Sequence, residues 1–76
     1  MNATRRKELK VIYALIEEAR NRLQEVKDEE EEYLLNMPEN LQNSERYETT
    51  EEKVERMEDS ISALDDTLEA IEEVSE

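Results

Sequence analysis

Twenty-three carboxylates in 76 residues, with no histidine and no cysteine, set the chemistry open to this chain. Paired carboxylates can exchange protons or hold a cation, and the densest run is Asp28-Glu29-Glu30-Glu31-Glu32. Nothing in the sequence completes such a site. The calcium-loop pattern D-x-[DN]-x-[DN]-G needs a glycine that the chain lacks, a ferritin-like di-iron centre needs Glu-x-x-His pairs, and zinc needs His or Cys. The expectation is therefore no catalytic residue, no metal and no cofactor, with Asp28 to Glu32 forming a solvated helix face.

Acidity on this scale points to binding instead. Ten basic residues leave a net charge of −13. Spread along a body of about 50 Å, the acids come to roughly one per 2.2 Å, beside about 1.7 Å per charge in duplex DNA. The basic residues dilute this to about one net charge per 4 Å. Such a surface is steered toward a basic cleft and repelled by nucleic acid and anionic membranes. Candidate contacts are Asp28, Glu29 and Glu32, then Glu51, Glu55 and Glu58, then Asp59, Asp65 and Glu69. The competing explanation is that net charge simply keeps a small helical protein in solution.

The elements that position these acids follow from one interruption. Pro38 is the only proline and there is no glycine, so a helix reaching Asn36 must leave its hydrogen-bond ladder near there. Before it, apolar residues recur at Leu9, Ile12, Ile16, Ala19, Leu23, Val26, Tyr33 and Met37, with Glu30 out of character. After it they recur at Tyr47, Thr50, Val54, Met57, Ile61, Leu64, Leu68 and Ile71. Alternating steps of three and four are the coiled-coil pattern. The spacing predicts helix 1 over about 4–36, a turn over about 37–43 and helix 2 over about 44–74. Asn2 or Thr4 would cap the first helix and Asn43 or Ser44 the second.

Folded antiparallel about Pro38, the seams align Tyr33 with Tyr47, Leu23 with Met57, Ile16 with Leu64 and Ile12 with Leu68. Glu30 falls beside Thr50 as a polar layer. Arg5, Arg6, Lys7 and Lys10 disfavour their own helix dipole, and the fold should offset this by placing them near Glu69, Glu72, Glu73 and Glu76.

A chain this short, with no disulfide, needs a partner or very regular packing to hold a core. Val11, Tyr13 and Leu15 widen the apolar arc of helix 1 beyond a two-helix seam. Ala63, Thr67, Ala70 and Val74 form a small, uncharged flank at the same end of helix 2. These residues are the expected homodimer interface, giving an antiparallel four-helix bundle.

The run Asp28 to Arg46, including Asn36-Met37-Pro38-Glu39-Asn40-Leu41-Gln42 and preceded by Arg5-Arg6-Lys7-Glu8-Leu9, resembles a group of short acidic bacterial and phage proteins of unsettled function. The likeness covers roughly the first 46 residues. It implies a helical hairpin in a mobile-element setting and, by analogy with small acidic phage inhibitors of nucleases and defence complexes, an inhibitory role. It supplies no catalytic residue.

The reading is thus an all-α, coiled-coil-like antiparallel hairpin. It is expected to be cytoplasmic, because no leader or spanning segment is visible, and to act as a non-enzymatic protein-binding module. The expected partners are a second copy and a basic nucleic-acid-binding protein or nuclease, not nucleic acid or membrane directly. The alternative is a structural adaptor whose apolar face joins a larger helical assembly.

Overall fold

The computed structural model describes all 76 residues as two helices and no strand: α1, Ala3–Leu35, and α2, Glu45–Val74, joined through a single 3-10 turn at Glu39–Leu41. Neither helix is long and apolar enough to cross a membrane. Each boundary falls within a residue or two of its expected place, because the expected end residues Asn36 and Ser44 serve as caps.

Local chemistry accounts for every end. Asn2 Oδ1 accepts from the Arg5 N–H at 2.8 Å, and Ser44 Oγ accepts from the Tyr47 N–H at 3.2 Å. Pro38 (φ −56°, ψ 144°) cannot continue α1, so Asn36 donates to Glu32 O and the chain turns away. Short i→i−3 bonds then carry the backbone, from Leu41 N to Pro38 O at 2.9 Å and from Ser44 N to Leu41 O at 3.0 Å. No residue takes a positive φ, so the reversal is made by length rather than by a left-handed residue. Met37 and Leu34 are buried under it, while Leu41 is 45% exposed.

The helices run antiparallel. Arg20 reaches Asp65, Lys27 reaches Glu58 and Arg46 lies over the Tyr33 ring, so partners on α2 descend as α1 ascends. The result is a rod of 60 × 14 × 12 Å. On α2 all eight expected seam positions are buried or half-buried, from Tyr47 to Ile71. The polar layer also forms: Glu30 is half-buried, Thr50 is buried, and both line one cavity beside Tyr33 and Arg46. Thr50 Oγ1 donates to Arg46 O at 2.8 Å, so its burial leaves no hydroxyl unpaired.

On α1 the seam differs from the expected one. Leu9, Ile16, Leu23 and Met37 face α2, but Ala19, Val26 and Tyr33 are exposed, and Arg20, Lys27 and Leu34 hold those layers instead. Ile12 stays half-buried and shares its layer with Tyr13. One residue along a helix is 100°, so moving every second seam position by one turns the buried face by about 50°. The cause lies in long stems and charged ends: Arg20 and Lys27 lay methylenes on the seam while their cations reach carboxylates at its edge.

The expected offset of the basic N-terminus does not form. Arg5, Arg6, Lys7 and Lys10 are exposed and make no ion pair. Lys10 lines a cleft with Tyr13, Glu72 and Ser75 without forming an ion pair there.

This packing makes a contrast measurable by urea denaturation. Ile61→Ala should cost about 2–4 kcal/mol, because Ile61 is among the most buried side chains. Lys27→Met should leave the midpoint equal to or above that of the parent, since the stem packs and ion pairs to carboxylates this exposed contribute little stability. A clear drop for Lys27→Met would refute the packing argument.

Candidate interaction surfaces of the hairpin

The antiparallel seam sorts the side chains of α2 onto distinct faces. Three of its seven heptad positions carry every acid of the helix. One row is Glu45, Glu52, Asp59, Asp66 and Glu73, directly opposite the seam. A second is Glu51, Glu58, Asp65 and Glu72, along one edge of the seam. The third lies between them at Glu48, Glu55 and Glu69, with Ser62 as its one neutral member. The other edge contains no acid from Arg46 to Val74. Its inner row is Arg46, Lys53, Ser60, Thr67 and Val74, and its outer row is Thr49, Arg56, Ala63 and Ala70.

On the acidic edge, α1 supplies cations. Arg20 binds Asp65 through two parallel bonds, Nε to Oδ1 at 2.9 Å and Nη2 to Oδ2 at 3.3 Å. Lys27 Nζ lies 2.6 Å from Glu31, 3.5 Å from Glu58 and 3.7 Å from Asp28, with its own side chain only 15% exposed. The hydrogen bond to Glu31, opposed by partial shielding from water and helped by the charges of Glu31 and Glu58, holds the Lys27 ammonium above its ordinary range. Asp28 also accepts from Gln24 Nε2 at 2.9 Å. Asp65, Glu58 and Asp28 are therefore partly neutralised, while Glu51, Glu55, Asp59 and Glu69 make no ion pair.

The expected site residues separate accordingly. The acids proposed for a basic partner gather along α2, and Glu32 lies on the outer back of α1. Glu29 does not join them: three and four residues from Glu32 and Tyr33 respectively, it turns with Tyr33 toward the acid-free side. No group of three acidic side chains converges as a metal site would need.

The dimer candidates divide as well. Leu15, Ala63, Thr67, Ala70 and Val74 share the acid-free side, all exposed, with Leu15 at 61% and Val74 at 56%. Val11, 51% exposed, sits about 40° further round the back of α1. Tyr13 is on the opposite side, lining a cleft with Glu17, Arg20, Asp65 and Leu68. Residues two apart on a helix diverge by 200°, so Val11, Tyr13 and Leu15 cannot present one surface. Ala19, Val26 and Tyr33 take up the face that Tyr13 leaves; a seven-residue count on α1 shows their common row in the sequence.

Comparison of the chain with protein-family models, with curated proteins and with solved structures yields no match.

Tyr13 reports the acidic edge. Shielding from water, then the negative charges of Glu72, Glu17 and Asp65, push its phenol above the ordinary value of 10.0. The fold favours the protonated form, so this contribution to stability is full below about pH 10 and is lost as pH climbs through the raised value. Phenolate absorbance of a Tyr33→Phe, Tyr47→Phe variant should titrate with a midpoint above that of free tyrosine, and Glu72→Gln should bring it down. An unshifted midpoint would contradict this cleft.

Proposed function

We propose that the hairpin is a non-enzymatic protein-binding module that presents the carboxylate rows of α2 to a basic, nucleic-acid-binding protein. The supporting observation is the segregation of charge. Twelve acids on a helix of about 45 Å, confined to three adjacent rows, come to roughly one per 3.8 Å. A single DNA strand carries about one phosphate per 3.4 Å. A charge spread evenly for solubility would not leave the other edge of the same helix free of acid.

The mechanism is substitution. A cleft that binds a nucleic-acid backbone through Lys and Arg releases counterions when the backbone docks, and a rigid row of carboxylates offers the same exchange. Glu51, Glu55, Asp59 and Glu69 are the contacts favoured here, because no cation of the hairpin holds them. The likeness of the turn to short acidic bacterial and phage proteins adds a mobile-element setting, in which occupying the cleft of a nuclease inhibits it.

A second reading is favoured by the acid-free side. A helix edge of small and basic residues beside exposed Leu15, Val26 and Tyr33 suits an assembly of helices, and a homodimer would make a four-helix bundle. The two readings use opposite sides of the hairpin and are compatible.

Affinity capture on immobilised protein across a salt gradient, with nuclease-treated lysate and DNA competitor, tests the first reading. The expected partner elutes as salt rises, is displaced by DNA, and is not captured by a Glu51→Gln, Glu55→Gln, Asp59→Asn, Glu69→Gln variant of unchanged helicity. A partner that survives high salt, or that the neutralised variant still captures, would sink the acidic-surface mechanism.

A further inference from the structure

We infer that the acid-free side is covered by a second copy of this chain, the two hairpins lying with their turns at the same end and each α1 packed on the partner's α2. This rests on the four-helix reading above and specifies its face and direction.

The surface area argues for a partner. A monomeric protein of 9.1 kDa is expected to expose about 4,900 Å². This one exposes 6040 Å², and no side chain is fully buried. The excess of roughly 1,100 Å² exceeds the ~800 Å² that each partner contributes to a standard interface. Its location follows from the seam on α1, which turns Ala19, Val26 and Tyr33 to solvent while shielding the stems of Arg20 and Lys27. Val26 remains 49% exposed and Tyr33 43%.

The occupant is identified by complementarity within the one face. Its α1 strip carries Ile12, Leu15 and Ala19 toward the open end, with Arg5 and Glu8 beyond them and Arg22 midway, and Glu29 between Val26 and Tyr33 toward the turn. Its α2 strip is small at the open end and carries all three cations of that helix, Arg46, Lys53 and Arg56, toward the turn. The two strips are counterparts. Within the monomer Arg46 already stacks on Tyr33, with 5.9 Å from its guanidinium carbon to the ring centroid.

With turns together and α1 over the partner's α2, levels match as they do inside the hairpin. Leu15 and Ala19 meet the small residues around Ala63 and Thr67, and Glu29 meets Lys53 and Arg56. Laying the hairpins head to tail would stack α2 on α2. The strip has no acid to receive its cations, so Lys53 and Arg56 would lie against Thr67 and Ala70 unpaired.

The test measures mass and direction separately. Sedimentation gives the oligomeric state of the full chain, and a nitroxide on Asn40→Cys at the exposed turn gives the distance between copies. The inference expects a dimer with labels within about 30 Å, the width of a four-helix bundle plus label arms. A dimer with labels near the 60 Å length of the rod would keep the four-helix reading and overturn the direction. A monomer at all concentrations would overturn both.

Placing acids on the acid-free rows, Ala63→Glu with Thr67→Glu, should weaken the dimer at least about 100-fold with helicity retained. Ser62→Glu, which fills the vacancy in an acidic row, should leave it unchanged. Equal behaviour of the two variants would overturn the face.

Discussion

Two cations lying across the seam set the orientation of everything else in this molecule. Arg20 and Lys27 cover the gap between the helices with their stems and reach Asp65 and Glu58 at one edge. Pairs this exposed contribute little stability individually. Their consequence is geometric, because with α1 held against the acidic edge of α2, Ala19, Val26 and Tyr33 turn away from the core that their spacing would have joined.

A two-helix hairpin has one layer of contact and no interior, so each helix buries only one side. The five buried apolar residues run from the turn, at Leu34 and Met37, along Val54, Ile61 and Leu68. Such a line gives register and direction but encloses little. The faces left outside are then where the molecule meets its surroundings, and α2 makes them chemically opposite. One edge and the back are carboxylate, while the other edge is small or basic. The same arrangement that leaves unpaired acids for a basic surface leaves a strip of α2 free of acid for a helix.

The turn fits this economy. With no glycine available, reversal takes a 3-10 turn and a serine cap rather than a left-handed residue, and Met37 is drawn under it to close the seam. Tyr33, expected in the seam opposite Tyr47, instead forms the floor beneath Arg46 on the acid-free side of α2. At the far end the basic first turn forms no ion pair, and Asn2 supplies its capping bond.

Much of this was legible in residue spacing. Pro38 and the two heptad patterns determined two helices, their limits and their antiparallel sense, since proline cannot continue the ladder and apolar steps of three and four demand a facing helix. On α2 the buried row was unambiguous, because each neighbouring position is acidic, basic or small. On α1 two rows competed: Ile12, Ala19, Val26 and Tyr33 against Tyr13, Arg20, Lys27 and Leu34. Hydrophobicity favours the first, and the fold uses the second. That choice depends on carboxylates about 30 to 45 residues away in the chain, which only the folded pairing brings alongside. Which acids remain free, which side lacks them, and that Tyr13 and Leu15 face opposite ways were therefore decided by tertiary structure alone.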